Sequence, residues 1–337
     1  MSHYHLYAIG NALVDSEYEV SDAQLQAMDV QKRHMTLIDA ARRSELLGHV
    51  QGLHARRTGG GSAGNTVVAV AQLGGRAFYS CRVADDELGA FYRDDLLSHG
   101  VATNLTHTRA PQGQTGSCMV MVTPDAERSM STFLGATADI DHTALHPHDI
   151  AKSKVYYMEG YLAASPTGLE AALRGRAMAQ EAGVALAVTL SDMSMIQFCR
   201  SGLEAMIGEG LDYLFCNEEE AQVWCGTQDF GAICQQLGQL SRVVCLTRGA
   251  RGCVVLEGPN HTVVPATAVR AVDTNGAGDM FAGAFLYAVT HGHDHATAAW
   301  LANLAAGRVV SQYGNRLSQS AIAEVKAAFV AHTSTNA

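Results

Sequence analysis

The chain carries 337 residues, 47% of them apolar, and a formal net charge of -10. A chain of that size can bury a large core, as one large α/β domain or a main domain with a smaller appendage. Its acidic balance argues against nucleic-acid binding through an extended basic surface, while small anionic ligands stay open.

No low-complexity tract and no run of about eighteen apolar residues occurs, and the start "MSHYHLYAIGNALVD" has no basic segment ahead of an apolar one. The eight cysteines, among them Cys81, Cys118, Cys199, Cys216 and Cys253, lack the CxxC spacing of a zinc site. These features read as a cytoplasmic protein with reduced thiols in its core and no membrane or nucleic-acid partner.

In chain order, "YHLYAIG" reads as a first buried strand, and "GNALVD" brings Asn11 and Asp15 to the carboxyl edge where open α/β sheets take ligands. Residues from about Ser16 to Asp39 are polar and irregular. Further buried strands are expected at "RAFYSCRV", "SKVYYMEGYL", "VALAVTL", "LDYLFCN" and "RVVCLTRG". Between them "SAGNTVVAVAQLGG", "ELGAFYRDDLLSHG" and "SPTGLEAALRGRAMAQEAG" read as helices that close on glycine. Alternating strands and helices imply a mostly parallel central sheet flanked by helices. "GQTGSCMVMVTPDAERSMSTFLGA" reads as a hairpin with its turn near "TPDAER". Residues 1–15, 40–104 and 139–337 are therefore expected to form the α/β nucleotide- and substrate-binding core, and residues 16–39 and 105–138 a small β-lid.

Two phosphate loops can be tested against the glycines. None of Lys32, Lys152, Lys154 and Lys326 follows a glycine, which excludes a P-loop. The first strand is followed by "IGNALVD" rather than GxGxxG, so a nicotinamide-dependent oxidoreductase fits poorly. "TGGGSAGN" reads either as a turn with a helix cap at Ser62 or Asn65, or as a backbone that a hydroxyl-rich ligand approaches closely. In "DTNGAGDMFAGAFLYAVTHG", Phe281, Phe285 and Ala288 fall at helical spacing, so a helix should begin near Ala277. Gly276 and Gly278 leave its first amides uncovered for an anion. Asp279 at that start is either an N-terminal cap or a base that takes the proton of an attacking hydroxyl. The histidines of "HGHDH" (His291 to His295) have no second ligand set and read as a solvated connection.

"GGGSAGN" followed far downstream by "DTNGAGDMFAGAFL" resembles the two motifs of the ribokinase-like (PfkB-type) carbohydrate and nucleoside kinases, and the likeness runs from "AIGNALVD" to "SQYGNRLS". The resemblance implies a central sheet with helices on both sides and a small β-lid, ATP with Mg2+, and transfer of the γ-phosphoryl group to a substrate hydroxyl. It implies Asp279 as catalytic base and the amides of Asn275, Gly276, Ala277 and Gly278 as anion hole. "CNEEEA" resembles the family's NxxE motif, which would put Asn217 and Glu220 near the magnesium, through water. "TRGARG" resembles the TKGxxG nucleotide loop, so Thr247, Arg248, Gly249 and Gly252 would adjoin ATP, with an arginine where lysine is common; Asn303 is placed with them. A monovalent cation such as K+ would draw on Asp273, Asn275, Gly314 and Ser318.

"ERSMSTFLGA", "EGYLAASP" and "VTLSDMSMIQFCR" resemble adenosine kinases more than ribokinases or fructokinases. That likeness implies Asn11, Asp15, Gly61, Ser62 and Asn65 on the ribose, Tyr161 stacked on the purine, Leu134 walling the base pocket and Arg128 reaching the phosphates. Phe133 stands where adenosine kinases often have a polar residue. The expected reaction is 5'-phosphorylation of a purine nucleoside, adenosine to AMP, by a monomer or homodimer. A sugar kinase or an inosine or guanosine kinase of the same fold is the alternative, and a non-catalytic nucleotide-binding regulator would not require Asp279.

Overall fold

The computed structural model describes residues 3–335 apart from Arg33, Thr108 and Ala126. In chain order its strands are β1 (Tyr4–Ile9), β2 (Leu13–Glu19), β3 (Met35–Leu37), β4 (Arg56–Gly60), β5 (Ala77–Ser80), β6 (Ala102–Thr103), β7 (Ser117–Val122), β8 (Arg128–Phe133), β9 (Ser153–Glu159), β10 (Ala185–Thr189), β11 (Leu211–Asn217), β12 (Ser241–Thr247), β13 (Cys253–Glu257) and β14 (Asn260–Val264). Nine of these make one sheet in the order β14-β13-β12-β11-β10-β9-β1-β5-β6. From β6 to β12 every pairing is parallel, and β12, β13 and β14 meander antiparallel.

The six expected buried strands are β1, β5, β9, β10, β11 and β12. Their residues are apolar on both faces, as a sheet covered on two sides requires. Along β1, Leu6 and Ala8 enter one core and Tyr7 and Ile9 the other. The first core takes the apolar sides of the helices Ser62–Leu73, Ala277–Thr290 and His295–Val310, and the second takes Pro166–Glu181 among others.

The second sheet has five strands in the order β3-β8-β7-β2-β4. The hairpin read between Gly113 and Ala136 is β7 and β8, antiparallel with Ser117 opposite Phe133; within its expected turn, Ala126 lies outside the described residues. This sheet draws more widely on the chain than the hairpin and residues 16–39. Strand β4, from the segment assigned to the core, pairs antiparallel with β2, which itself begins at Leu13. Residues 16–39 are also more regular than their polarity implies. They hold most of β2, the helix Asp22–Ala27 with a Ser21–Gln24 capping box, and β3. Tyr18, Leu25, Met28, Leu46, Val50, Met119 and Met121 form a small core of their own under this sheet.

Candidate active site

Strand β1 lies between β5 and β9, so the chain order of the sheet reverses at β1. Loops leaving the carboxyl ends on either side of such a reversal bound a crevice in which open α/β sheets take ligands. Here the crevice receives Asn11 after β1 and Glu159 at the end of β9. Glu159 is fully buried and accepts the N–H of Asn11 at 3.2 Å, its Nδ2 at 2.8 Å and the N–H of Ala63 at 2.8 Å. A Cβ on Gly10 would lie 2.5 Å from Glu159 Oε2, so a glycine is required beside the carboxylate. Burial pushes Glu159 up to about 7 against the pull of these donors, and Asp279 adds to the rise.

The helices Ser62–Leu73 and Ala277–Thr290 cross close together, and glycine makes the crossing possible. A Cβ on Gly283 would sit 2.6 Å from both Ala69 Cβ and the Thr66 carbonyl oxygen. Residues three and four apart share a helix face, so the contact at Thr66 and Ala69 turns Ser62 and Asn65 toward Asp279, one turn before Gly283. Ser62 Oγ donates to Asp279 Oδ1 at 2.6 Å, and Asn65 Nδ2 donates to Oδ2 at 3.0 Å. Neither is a helix cap; the cap position is Gly61, with φ +85° and a missing Cβ that would meet the Asn11 carbonyl oxygen at 2.1 Å. Burial raises Asp279 to about 6, while Ser62, Asn65 and Arg316 hold it down.

The helix carrying Asp279 does begin at Ala277, behind Gly276 at φ +75°, and it has no side-chain cap. Of the four amides assigned to an anion, two bond within the protein: Asn275 N–H to Asp273 Oδ1 at 3.1 Å and Ala277 N–H to the Thr274 carbonyl at 3.3 Å. The N–H groups of Gly276, Gly278 and Asp279 meet no acceptor among the described residues, and a Cβ on Gly278 would enter open space. Open donors at a helix N-terminus fit an anionic group such as a nucleotide phosphate.

Asp15, from β2 of the small sheet, faces this helix. Asn315 Nδ2 donates to its Oδ2 at 3.1 Å, and a Cβ on Gly60 would lie 2.6 Å from both its oxygens. Burial raises Asp15 to about 7, with Arg316 and Arg128 pulling down and Asp279 and Glu17 pushing up. Arg128, on β8, spans the two layers, pairing with Glu17 at 3.0 Å and with buried Asp273 at 3.2 Å. Asp273 also accepts the Gly314 N–H at 3.0 Å. Ser318 takes the Ala321 N–H at 3.2 Å and so caps the last helix. The side chains of Asp273 and Ser318 thus have protein partners.

On the far side of the crevice, Asn217 and Glu220 form a capping box on the helix Glu218–Cys225. Asn217 Oδ1 takes the Glu220 N–H at 2.8 Å, and Glu220 takes Asn217 Nδ2 at 2.6 Å and N–H at 3.0 Å. Burial raises Glu220 to about 7, and Asp192, Glu219 and Asp279 add to it. A buried acid among acids suits a divalent cation held through water, although no cluster of three His, Cys, Asp or Glu placed to hold a metal occurs among the described residues.

Thr247 ends β12, and the turn behind it needs its glycines: Gly249 has φ +56°, and Gly252 has φ +84° with a Cβ position 2.1 Å from the Val264 carbonyl oxygen. Arg248 pairs with Glu218 at 3.2 Å and lies over the Phe230 ring, which gives it partners within the protein. Asn303 is buried and donates to the Val264 and Pro265 carbonyls at 2.9 and 3.3 Å, fixing the chain after β14. Tyr161 follows β9 and its hydroxyl lies 3.5 Å from the Ser191 carbonyl. Leu134 lines a cavity of about 590 Å³ with Leu37, Phe133, Ala136, Gln112 and Gln114.

The sequence reading missed Glu159, Asn315, Arg316 and Asp95. Glu159 left a signal, a lone acid ending the apolar strand "SKVYYME". The other three have none, because their meaning arises only when residues 59, 65, 95 and 315–316 meet.

The model of the pfkB family carbohydrate kinases matches residues 34–322. A crystal structure of adenosine kinase from Sinorhizobium meliloti is 35% identical with a TM-score of 0.87, covering 96% of this chain and 99% of that one. A probable sugar kinase protein from Rhizobium etli CFN 42 is also 35% identical, with a TM-score of 0.88 over 98% of this chain and 100% of its own. Mouse ribokinase is 29% identical over 242 residues, 68% of this chain and 70% of the relative.

Proposed function

The chain belongs to the pfkB family of carbohydrate kinases and is a phosphotransferase acting on a hydroxyl group of a small molecule; from that premise we propose that it phosphorylates the 5'-hydroxyl of a purine nucleoside, adenosine to AMP. The observation that carries the proposal is Asp279, a carboxylate held by Ser62 and Asn65 beside a helix start whose amides are open. The family's ATP, with Mg2+, supplies the phosphoryl group. Asp279 accepts the proton of the 5'-hydroxyl as general base. The N–H groups of Gly276, Gly278 and Asp279 stabilise the developing charge, with the helix dipole behind them.

Asp15 accepts from the ribose diol, and Asn11, oriented by Glu159, lies at the other side of the sugar with Gly61 between them. Tyr161 stacks on the base and Leu134 walls it. Asn217 and Glu220 hold metal-bound water. Thr247, Arg248, Gly249, Gly252 and Asn303 shape the nucleotide loop. The five-stranded sheet acts as a lid, and Arg128, now between Glu17 and Asp273, moves to the phosphates when it closes.

A sugar acceptor is the second reading, because the likeness to the probable sugar kinase protein from Rhizobium etli equals that to the adenosine kinase. ATP consumption with adenosine, inosine, guanosine, ribose, fructose and fructose 6-phosphate separates the readings. Adenosine is expected to give the highest kcat/KM. Turnover of a free sugar alone would remove the nucleoside assignment and leave the kinase in place.

A further inference from the structure

Asp279 is held by Asn65, and Asn65 is itself held from behind. Arg316 Nε donates to Asn65 Oδ1 at 3.2 Å, and the same guanidinium pairs with Asp95 on the helix Glu87–Ser98. Both charged side chains are largely buried, with 9% of Arg316 and 16% of Asp95 exposed. The pair fits only because residue 59 is glycine; a Cβ there would lie 2.3 Å from Asp95 Oδ2 and 2.8 Å from Arg316.

We propose that Arg316, anchored by Asp95, is a positioning residue for the base: it fixes the side-chain amide of Asn65 so that Nδ2, and not Oδ1, faces Asp279. The chemistry of the two ends dictates this. Arginine has donors only, so the end of the amide that meets it must be the oxygen. The NH2 end then points the other way, onto the carboxylate. Without a donor-only partner the amide is free to turn over and set its oxygen against Asp279, which removes one hydrogen bond and adds a repulsion. The inference rests on Asp279 being the base, as proposed above. Besides Arg316, the titratable groups around Asp279 are Asp15 from β2, Tyr157 and Glu159 from β9, Tyr161 behind it, and Glu220 from the helix after β11. Arg316 acts on Asp279 and Asp15 in the same downward direction.

The test is steady-state kinetics from pH 5 to 9 on the full chain. Arg316→Gln, whose amide both donates and accepts, is expected to lower kcat about tenfold or more, the scale of one hydrogen bond to a charged group. Its acid limb should move to higher pH by about half a unit or more, with the KM for ATP within about twofold because the residue lies outside the nucleotide loop. Arg316→Lys keeps a donor-only cation and should restore most of kcat and the limb.

On an Asn65→Ala background the Arg316→Gln effect should shrink to under about twofold, since coupled residues are not additive. If Arg316→Gln does not fold, Asp95→Asn, which loosens the anchor and keeps the arginine, should move kcat and the limb the same way by less. An unmoved limb, no rescue by lysine, or an undiminished effect without Asn65 overturns the proposal. Asp279→Asn, run beside these, should lose ~10²- to 10⁴-fold in kcat. Near-normal turnover in that variant would instead refute the general-base reading, whatever Arg316 does.

Discussion

Glu159 shows how a single buried charge can organise a site without touching its chemistry. One carboxylate gathers three N–H groups from two separate segments, two from Asn11 after β1 and one from Ala63 in the first turn of the helix Ser62–Leu73. Replacing it by glutamine leaves one acceptor oxygen for those donors. Glu159→Gln is therefore expected to cost about 1–3 kcal/mol, the price of buried donors left unpaired.

The pH dependence has a definite sign. The folded-state value, about 7, lies above the ordinary 4.5, so the folded protein holds a proton more tightly than the unfolded one. Stability from this group is fully present below about 4.5 and is lost as the pH rises to about 7. The deficit of Glu159→Gln should then narrow by on the order of 2–3 kcal/mol between pH 5 and 8. Urea unfolding of both proteins at the two pH values measures it, and a constant deficit would mean that Glu159 is ionised throughout.

At the scale of elements, the two helices that carry the site are in register because Gly283 has no side chain. Gly283→Ala places a methyl group against Ala69 and the Thr66 carbonyl and should cost ~1–3 kcal/mol, as overpacking does. It should also lower kcat, although residue 283 touches no proposed ligand, because Ser62 and Asn65 are pushed from Asp279. Circular dichroism and steady-state rates check both, and an unchanged kcat would show that the proposed base tolerates the shift.

Much of this level was legible in advance. The apolar strands, the helix starting at Ala277 and the glycines of "TGGGSAGN" all carry local signals, since periodicity and backbone freedom are properties of a few consecutive residues. What stayed hidden was pairing across distance. Strand β4 reads "RRTGG", with no alternation to mark it, and joins the small sheet only because β2 lies beside it. The internal partners of Asn275 and Ala277, and the anchoring of Asn65 by Arg316, likewise need the folded chain.

The whole molecule is two sheets joined at the ligand crevice. The chain passes between them four times, first just after Asn11 and next at Gly61, so the segments proposed to hold the sugar are also two of the connections between layers. Arg128 bridges the same boundary through Glu17 and Asp273. Arg128→Met should lower stability by ~1–3 kcal/mol, less than the usual loss for a broken buried pair because Asp273 keeps two N–H donors. If the arginine also meets phosphate on closure, kcat falls at least about tenfold. Stability and rates both left at wild-type values would exclude a bridge that matters in either state.

The bond from Asn315 to Asp15 joins residues 300 apart in sequence. On the ribosome, residues up to about 265 can emerge and pair as strands while the helix that carries Asp279 is still inside or untranslated. A nascent or prematurely ended chain would thus hold Asn11, Asp15 and Gly61 without Asp279 and the open amides of its helix. With Asp279 as the proposed base, the order of synthesis withholds phosphoryl transfer, and any futile use of ATP, until the last fifth of the chain has been made.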